Sequence, residues 1–129
     1  MAKRIDDLGI ENLKIIQDTD YFCFGMDSVL LANFVKSKSS NNIVVDLCSG
    51  SGVIPVIISG KKKCGKIFGI ELQSEMFELL EENISLNKLE EKIIGINEDI
   101  KNVDKIRNYI KEKSNKEFVD IITCNPPYK

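Results

Sequence analysis

The chain has 129 residues, 43% of them hydrophobic and 29% charged, and a formal net charge of −2 at pH 7. These values indicate one compact soluble domain and argue against disorder, a fibrous structure or two domains. No apolar run is long enough to cross a bilayer and no secretory signal is recognisable, so a cytoplasmic location is expected. The small negative charge does not indicate a nucleic-acid-binding protein, and composition leaves the substrate open.

The residue content disfavours metal and histidine chemistry. The chain has no histidine, and its four cysteines are scattered without a C-x-x-C pair, so a zinc site would need four distant thiolates. We expect no metal site, and cysteines that are reduced and mostly buried as small hydrophobic residues. Cys48 and Cys124 adjoin the two motifs described below, but nothing in the sequence marks either as a nucleophile.

Residues 1–40 are expected to form a small N-terminal region, which a polar stretch at residues 37–42 separates from the rest. Residues 13–16 and 21–24 flank an Asp-Thr-Asp turn and could pair as a β-hairpin. A helix is predicted to follow, with Asp27 or Ser28 as its N-cap. Apolar residues recur in it at helical spacing: Val29, Leu30, Leu31, Phe34 and Val35.

Residues 41–129 alternate between short apolar strands and helices. Strands are predicted at residues 43–47, 66–70, 92–96 and 119–124, and helices at residues 53–59, 74–86 and 102–113. Ser74 is predicted to cap the second helix. The inner face of that helix is expected to contain Met76, Leu79, Leu80, Asn83 and Ile84, and that of the third helix Val103, Ile106, Tyr109 and Ile110.

This alternation indicates an α/β fold with a doubly wound parallel sheet that helices cover on both faces. Right-handed crossovers place the carboxyl ends of all strands along one edge, where such sheets bind ligands. The polar motifs of the chain all follow predicted strands. We therefore expect the functional site at this edge.

The first strand leads into a glycine turn, Asp-Leu-Cys-Ser-Gly-Ser-Gly at residues 46–52. Glycines let the backbone turn tightly and approach a ligand, and the following helix offers unpaired N–H groups to an anion. A single G-x-G is a modest signal. Pro55 stands where a dinucleotide-binding fingerprint has glycine or alanine, which weakens a nicotinamide or flavin assignment, and the sequence lacks an NTPase phosphate loop.

Two acidic residues follow the next two strands. Glu71 lies about 20 residues beyond the glycines, where a carboxylate can accept hydrogen bonds from ribose hydroxyls. The alternative is a surface acid stabilised by a helix N-terminus. Asp99 could accept a hydrogen bond from the exocyclic amine of an adenine ring, with Ile100 against the ring face. The alternative is that Asp99 or Asn102 only caps the following helix.

The most specific motif is Asn125-Pro126-Pro127-Tyr128, which directly follows the fourth strand. Two prolines stop a strand and remove two backbone donors, which leaves the Asn125 amide oxygen and nearby carbonyls as acceptors. Such acceptors can hold both hydrogens of a planar amino group, while Tyr128 offers a face on which its ring can stack. The alternative is a strand-terminating turn with a packed tyrosine.

Together, the glycine turn, Glu71, Asp99 and the tetrapeptide resemble the class I S-adenosylmethionine-dependent methyltransferases that act on amino groups, over roughly residues 22–129. The segment Phe-Gly-Met-Asp-Ser-Val-Leu-Leu-Ala at residues 24–32 is similar to the bacterial tRNA adenine-N6 methyltransferases that act on the anticodon loop of a valine tRNA. The tetrapeptide is shared with release-factor glutamine methyltransferases and DNA adenine methyltransferases, so it indicates the chemistry better than the substrate.

This resemblance implies a Rossmann-like fold, S-adenosylmethionine as the cofactor, S-adenosylhomocysteine as the product and tRNA as the substrate. Gly50 and Gly52 would lie under the methionine part of the cofactor, with Asp46 supporting the turn. Glu71 would hold the ribose and Asp99 the adenine, and residues 1–40 would pack over the site. The implied cofactor-binding residues are Phe24, Ser28, Asp46, Cys48, Ser49, Gly50, Gly52, Glu71, Leu72, Asp99, Ile100 and Asn125.

The implied catalytic residues are Asn125, Pro126, Pro127 and Tyr128. Asn125 and the Pro126 carbonyl would hold the target amine, and Tyr128 would stack on its ring. Methyl transfer would be an in-line displacement at an already activated sulfonium methyl, so positioning and electrostatics would supply most of the acceleration without a strong general base. An anticodon-loop adenine is unpaired and can enter such a pocket at little unstacking cost.

Class I members have about seven strands, whereas four are predicted here, so we expect a fragment that binds the cofactor weakly and turns over RNA poorly. Two alternatives stay open: glutamine-N5 methylation of a peptide release factor, and a non-catalytic nucleoside-binding module with the same fold. An oxidoreductase is disfavoured by Pro55 and by the tetrapeptide, for which hydride transfer has no use.

Overall fold

A four-stranded parallel sheet organises the described part of the chain, residues 2–21 and 23–126 of a computed structural model. In chain order the elements are β1 (Lys3–Asp7), β2 (Lys14–Asp18), α1 (Met26–Phe34), β3 (Val44–Leu47), α2 (Val53–Lys61), β4 (Ile67–Glu71), α3 (Ser74–Leu86), β5 (Ile93–Asn97), α4 (Val103–Ser114) and β6 (Ile121–Cys124). β1 and β2 form a separate antiparallel hairpin, and the other strands lie in the order β5-β4-β3-β6. The predicted α/β fold with a parallel sheet is confirmed.

β3 lies inside the sheet, with β4 on one side and β6 on the other. Its Val44 pairs in parallel with Ile67 of β4 and with Ile121 of β6. Because all four strands run in the same direction, their carboxyl ends meet at one edge of the sheet. This edge carries the glycine turn, Glu71 and Asn125.

Apolar side chains of the strands alternate between two clusters. Val44 and Ile67 pack in the first cluster with α2 and α3, and Val45 and Phe68 pack in the second cluster with α4. Successive side chains of a strand point to opposite faces of the sheet, and here both faces are buried. The strands are therefore continuous apolar runs in the sequence. The predicted inner face of α3 is confirmed. Its buried residues are Met76, Leu79, Leu80, Asn83 and Ile84.

The predicted pairing of residues 13–16 with residues 21–24 is wrong, because β2 pairs with β1 instead. Phe22 lies outside the described residues, and the rest of the 21–24 segment is not in a strand. The Gln17 side chain holds this segment in place of a backbone ladder. Its Oε1 accepts the Phe24 N–H at 2.8 Å, and its Nε2 donates to Asp6 at 2.6 Å.

Two predicted helix caps are also wrong. Gly25 is the N-cap of α1, so neither Asp27 nor Ser28 occupies that position. Gln73 is the N-cap of α3, so Ser74 is the first residue of the helix. Both N-caps have extended backbone, and neither makes a side-chain capping bond, so the helices begin earlier than a search for capping side chains suggests.

The predicted apolar stripe of α1 is right for Val29, Leu31 and Val35, which pack against the core, and wrong for Leu30 and Phe34. The small residues Ser28 and Ala32 of α1 are buried, and the helix contacts α2. Leu30 and Phe34 consequently point away and are 61% and 79% exposed. None of the helices within the described ranges combines the length and apolar character that crossing a bilayer requires.

The predicted inner face of α4 is right for Ile106 and Ile110, which are buried, and wrong for Val103 and Tyr109, which are exposed. Val103 lies in the first turn of the helix. The ring of Tyr109 instead lies under the Lys113 ammonium group, 5.6 Å from the ring centroid. A cation–π contact of this kind suits an aromatic side chain at a solvent-facing position.

Asn83 of α3 and Asn87, the C-cap of the same helix, dock the hairpin on the core. Asn83 is fully buried, and it accepts the Ile16 N–H at 2.6 Å and donates to the carbonyls of Ile16 and Ser51 at 2.9 and 2.8 Å. One turn later, Asn87 makes the same pair of bonds with Lys14, at 2.8 and 2.7 Å. The two amides therefore satisfy the edge of β2 as a neighbouring strand would, and Asn83 also ties the hairpin to the glycine turn.

Candidate functional site

A cavity of about 290 Å³ opens at the carboxyl edge of the sheet. The glycine turn, the end of β4 and the end of β6 all contribute to its wall, and its size is close to the lower end of the range for small-molecule sites. Most of the residues predicted for the site line it: Phe24, Ser28, Cys48, Ser49, Gly50, Glu71, Leu72, Asp99, Ile100 and Asn125. The structure thus brings together segments from opposite ends of the sequence.

The glycine turn adopts a backbone conformation that favours glycine. Gly50 and Gly52 have φ angles of 59° and 93°. A Cβ atom on Gly52 would lie 2.4 Å from Leu80 Cδ1, so this glycine allows the turn to pack on α3 and does not line the cavity. Gly52 is also the N-cap of α2, so the unpaired N–H groups of that helix begin at the turn.

Asp46 lies fully buried beneath the turn and bonds Ser49 of the turn, which agrees with the supporting role that the resemblance implies. It does not line the cavity, so the implied contact with the cofactor has no counterpart there. Its carboxylate oxygens accept hydrogen bonds from Ser49 Oγ at 2.9 Å and from Thr123 Oγ1 at 2.7 Å. Burial raises the pKa of Asp46 from 3.8 to about 7, although both hydroxyls act in the opposite direction. Asp46 therefore connects the glycine turn to β6, and its charge changes near neutral pH.

Glu71 is 8% exposed, so it is not the surface acid of the alternative interpretation. Its Oε1 accepts the Gly50 N–H at 2.7 Å, and its Oε2 accepts the Gln73 N–H at 2.9 Å. These bonds fix the carboxylate between the glycine turn and the start of α3. Each carboxylate oxygen can accept two hydrogen bonds, so the group retains the capacity to accept from a ligand.

Asp99 forms a local turn at the end of β5. Its Oδ1 accepts the Lys101 N–H at 2.9 Å. Asn102 occupies the N-cap position of α4, but its side chain donates to Glu98 Oε1 at 2.7 Å and makes no capping bond. Asn102 therefore occupies the cap position without making a capping bond. Asp99 lines the cavity.

Two apolar side chains on the cavity wall are unusually exposed. Leu72 follows β4 and is 63% exposed, and Ile100 follows β5 and is 42% exposed. Both come from neighbouring strand ends. Exposed apolar groups at a cavity edge offer a surface against which a flat ring can be buried.

Asn125 connects the end of β6 to α1, because its Nδ2 donates to Ser28 Oγ at 2.8 Å. The side chain is half-buried and lines the cavity. Pro126 is exposed and does not line it. Pro127 and Tyr128 lie outside the described residues, so the roles implied for them stay predictions.

Part of the wall was not assigned from the sequence: Tyr21, Ser51, Val53, Ile54, Ile70, Gln73, Met76 and Glu98. Most of these are sequence neighbours of a residue that was assigned, and this proximity could have indicated them. Met76 was expected only in the core, but its terminal methyl lies 3.7 Å from the position of a Cβ on Gly50. Tyr21 carries no such signal, because docking of the N-terminal region places it there.

Among the described residues, no group of three cysteine or acidic side chains is arranged to hold a metal ion. All four cysteines are free, and the expectation that most are buried is wrong. Cys64 is buried, whereas Cys23 and Cys48 are partly exposed and Cys124 is exposed. Cys48 and Cys124 differ from the expectation because the turn and the strand end that carry them open toward solvent.

The TRM5/TYW2 methyltransferase domain matches residues 27–121 of the chain. The tRNA (guanine(37)-N(1))-methyltransferase Trm5b of Methanocaldococcus jannaschii is 41% identical over 73 residues, which are 57% of this chain and 21% of that protein. The release factor glutamine methyltransferase of Fusobacterium nucleatum is 33% identical over 86 residues, 66% of this chain and 21% of that protein. The chain thus spans about a fifth of the length of these two relatives.

The crystal structure of Methanocaldococcus jannaschii Trm5 in complex with adenosine has a similar fold. The TM-score is 0.63 at 25% sequence identity, and the match covers 99% of this chain and 36% of that one.

Proposed function

The chain belongs to the TRM5/TYW2 methyltransferase domain family, and we propose that it binds S-adenosylmethionine in the cavity and supports methyl transfer to a nitrogen atom of a tRNA base. One observation carries the proposal: Gly50, Glu71 and Asn125, from the ends of three neighbouring strands, line a single cavity. The relative from Methanocaldococcus jannaschii is named as a tRNA methyltransferase, and the similar solved structure contains adenosine. A tRNA substrate also implies a cytoplasmic location.

The adenosine part of the cofactor suits one side of the cavity. Glu71 has acceptor capacity for ribose hydroxyls while it keeps its two backbone partners. Leu72 and Ile100 would lose exposed apolar surface against an adenine ring, and Asp99 would accept from the exocyclic amine. The residues present therefore fit a nucleoside.

The methionine part of the cofactor suits the glycine turn. The backbone at Gly50 can approach a ligand closely, and the unpaired N–H groups of α2 favour a carboxylate. When bound, the cofactor supplies a methyl group on a positively charged sulfur atom. The Glu71 carboxylate is close enough to the turn to bond the Gly50 N–H, and it favours a positive charge in the cavity.

We infer more specifically that the acceptor is an exocyclic amino group, adenine N6. Asn125 supports this because it lines the cavity at the end of β6, where Ser28 holds its Nδ2 at 2.8 Å, and its side-chain amide contains an acceptor oxygen. The Asn125-Pro126-Pro127-Tyr128 motif and the segment at residues 24–32 support the same choice. The guanine-N1 activity in the name of the relative is the competing tRNA product.

We also propose that residues 1–40 close over the cofactor. Three residues of this region, Tyr21, Phe24 and Ser28, contribute to the cavity wall. Phe24 is held by its backbone bond to Gln17 of β2, so the hairpin fixes one side of the opening.

Cofactor binding is tested by replacing Glu71 with glutamine. The variant loses one acceptor oxygen and the negative charge, and hydrogen bonds to charged groups contribute about 1.5–3 kcal/mol, so we expect the affinity for S-adenosylmethionine to fall about 10- to 100-fold. Isothermal titration calorimetry with S-adenosylmethionine and S-adenosylhomocysteine measures the change. Glu78→Gln, an exposed acid on α3, is the matched control and should bind as the parent chain does.

Gly50→Arg, which places a long side chain on the cavity wall at positive φ, should abolish binding. If the parent chain binds neither S-adenosylmethionine nor S-adenosylhomocysteine, the proposed cofactor site is wrong and the non-catalytic alternative is favoured.

Substrate positioning is tested by replacing Asn125 with alanine. We expect methyl transfer to fall roughly 100-fold, because misplacing a reacting group by about 1 Å has an effect of this size, while cofactor affinity changes little. Nucleoside mass spectrometry of a digested tRNA pool measures the product and distinguishes N6-methyladenosine from N1-methylguanosine. Ser28→Ala removes the bond between Ser28 Oγ and Asn125 Nδ2, so it should give an intermediate loss of methyl transfer. Exclusive formation of N1-methylguanosine would refute the amino-group assignment.

A second candidate, glutamine-N5 methylation of a release factor, is favoured by the 33% identity to the Fusobacterium nucleatum enzyme. The same acceptor geometry at Asn125 would serve a glutamine side-chain amide. Parallel reactions with tRNA and with a release-factor peptide, both analysed by mass spectrometry, separate the two candidates.

A further inference from the structure

Cys48 and Cys124 come from adjacent strands that meet at the cavity. Leu47 and Cys124 are paired residues of β3 and β6, and Cys48 is the next residue after Leu47. Neighbouring strands are about 4.8 Å apart and each residue advances about 3.3 Å, so the Cα atoms of Cys48 and Cys124 are separated by roughly 6 Å. This separation is within the range of about 4.4–6.8 Å that a disulfide spans.

The backbone of Cys48 departs from the alternation of the strand. Strand alternation would place Cys48 on the same face as Asp46, opposite to Cys124. Cys48 has a positive φ of 57°, however, which breaks the alternation at this residue. The two thiols interact: burial first, and then the charge of Cys124 and a hydrogen bond with it, raise the pKa of Cys48 to about 11.

The pair lies between the two halves of the proposed site. Cys48 lines the cavity in the same turn as Gly50, and Cys124 directly precedes Asn125. Cys124 is exposed and accessible to small molecules, whereas Cys48 is partly exposed. A covalent bond between them would join the glycine turn to the residue that precedes the acceptor asparagine.

We propose that Cys48 and Cys124 form a reversible disulfide that closes the cofactor site under oxidising conditions. The oxidant is a small-molecule disulfide such as oxidised glutathione. The Cys124 thiolate attacks one of its sulfur atoms and releases one molecule of glutathione. The Cys48 thiol, which the raised pKa keeps protonated at neutral pH, then loses its proton to water and attacks the sulfur of Cys124, which releases the second molecule of glutathione. The two cysteines lose two electrons and two protons in total, and oxidised glutathione gains them.

The disulfide is expected to weaken cofactor binding, because the two sulfur atoms must move together to form it. Bringing the two sulfur atoms to bonding distance changes the side-chain angles at Cys48 and pulls on the turn that carries Gly50. A binding site tolerates displacements of only about 0.5 Å, so we expect the affinity for S-adenosylmethionine to fall by roughly tenfold or more. This consequence rests on the proposed function, whereas formation of the disulfide does not.

The experiment treats the chain with oxidised glutathione, alkylates the remaining thiols and maps the peptides by mass spectrometry. We expect a peptide pair joined through Cys48 and Cys124 and a weaker cofactor affinity by calorimetry. After dithiothreitol, we expect two free thiols and the affinity of the untreated chain. Cys124→Ser should form no such pair and should retain its affinity after treatment. Cys23→Ser is the control, because Cys23 lies elsewhere and its thiol contacts the carbonyls of Asp18 and Tyr21, so this variant should form the disulfide as the parent chain does.

Two results would overturn the inference. One is glutathione attached to Cys124 with no bond to Cys48. The other is the Cys48–Cys124 disulfide with unchanged affinity for S-adenosylmethionine. If the reduced parent chain does not bind the cofactor at all, the proposed function fails, and the peptide map still decides whether the disulfide forms.

Discussion

Replacing Asp46 with asparagine should remove about 4 kcal/mol of pH dependence from the stability of the domain. The pKa of Asp46 is raised from 3.8 to about 7 by burial, so the folded state favours the protonated carboxyl. A raised pKa in the folded state means that this contribution is fully present below about pH 4 and is lost as the pH rises through about 7. A change of one pKa unit corresponds to about 1.4 kcal/mol. The rise in the pKa of Asp46 from 3.8 to about 7 therefore corresponds to about 4 kcal/mol.

The measurement is urea unfolding of the parent chain and of Asp46→Asn from pH 4 to pH 8, followed by circular dichroism. The difference in unfolding free energy between the two proteins should change in favour of the variant by about 4 kcal/mol across this window, and the change should be complete only above about pH 7. Asparagine can still accept from Thr123 and donate to Ser49, so the variant should fold. Asp104→Asn, an exposed acid in the first turn of α4, is the control. Parallel curves for the parent chain and Asp46→Asn would show that Asp46 does not titrate in this range.

Replacing Asn83 with leucine should be the most destabilising single change to the docking of the hairpin. The amide is fully buried and serves three backbone groups, the N–H and carbonyl of Ile16 and the carbonyl of Ser51. Leucine has a similar size but cannot form hydrogen bonds. Each buried backbone group left without a partner costs about 1–3 kcal/mol, and some relaxation is possible, so we expect a loss of about 3–5 kcal/mol.

Asn87→Leu is the matched control, at the C-cap of α3 one turn after Asn83. Asn87 is half-buried and makes the same two bonds to the backbone of Lys14, in addition to one with the Asn83 carbonyl, but the two bonds to Lys14 are exposed and water can replace them. We expect a loss of about 1 kcal/mol. Both values come from chemical denaturation, and hydrogen exchange at the Ile16 amide reports local release of β2. Equal losses for the two variants would mean that burial of the Asn83 amide does not determine its contribution.

The parallel sheet could be predicted because each of its strands is a short apolar run that ends at a polar motif. β3 and β4 are within one or two residues of their predicted positions. The hairpin could not be predicted in the same way. β1 has the sequence Lys-Arg-Ile-Asp-Asp, with one apolar residue, so it lacks the periodicity that indicates a strand. The partners of its hairpin include Asn83, a residue 67 positions from Ile16.

The position of the site could be predicted because motifs at the ends of parallel strands must meet at one edge. Glu71 and Asn125 line the cavity with the glycine turn, as that rule requires. The resemblance implies that Asp46 supports the turn, but its complete burial away from the cavity could not be predicted, because it depends on the Thr123 hydroxyl, which lies 77 residues further along the chain. A local motif identifies Asp46 as a site residue, but it does not identify the distant partner that holds its side chain away from the cavity.

The strand order β5-β4-β3-β6 also determines when the site can be completed during synthesis. β3 pairs with β4 soon after both leave the ribosome, whereas its other neighbour is encoded 77 residues later. At about 5–20 residues per second, that delay is roughly 4–15 s. Throughout this interval one edge of β3 has no neighbouring strand, and Asp46 is without Thr123. A nascent domain therefore has the strand ends that carry Glu71 and Asp99 before it has Asn125, and its cavity wall is completed only when β6 has been added.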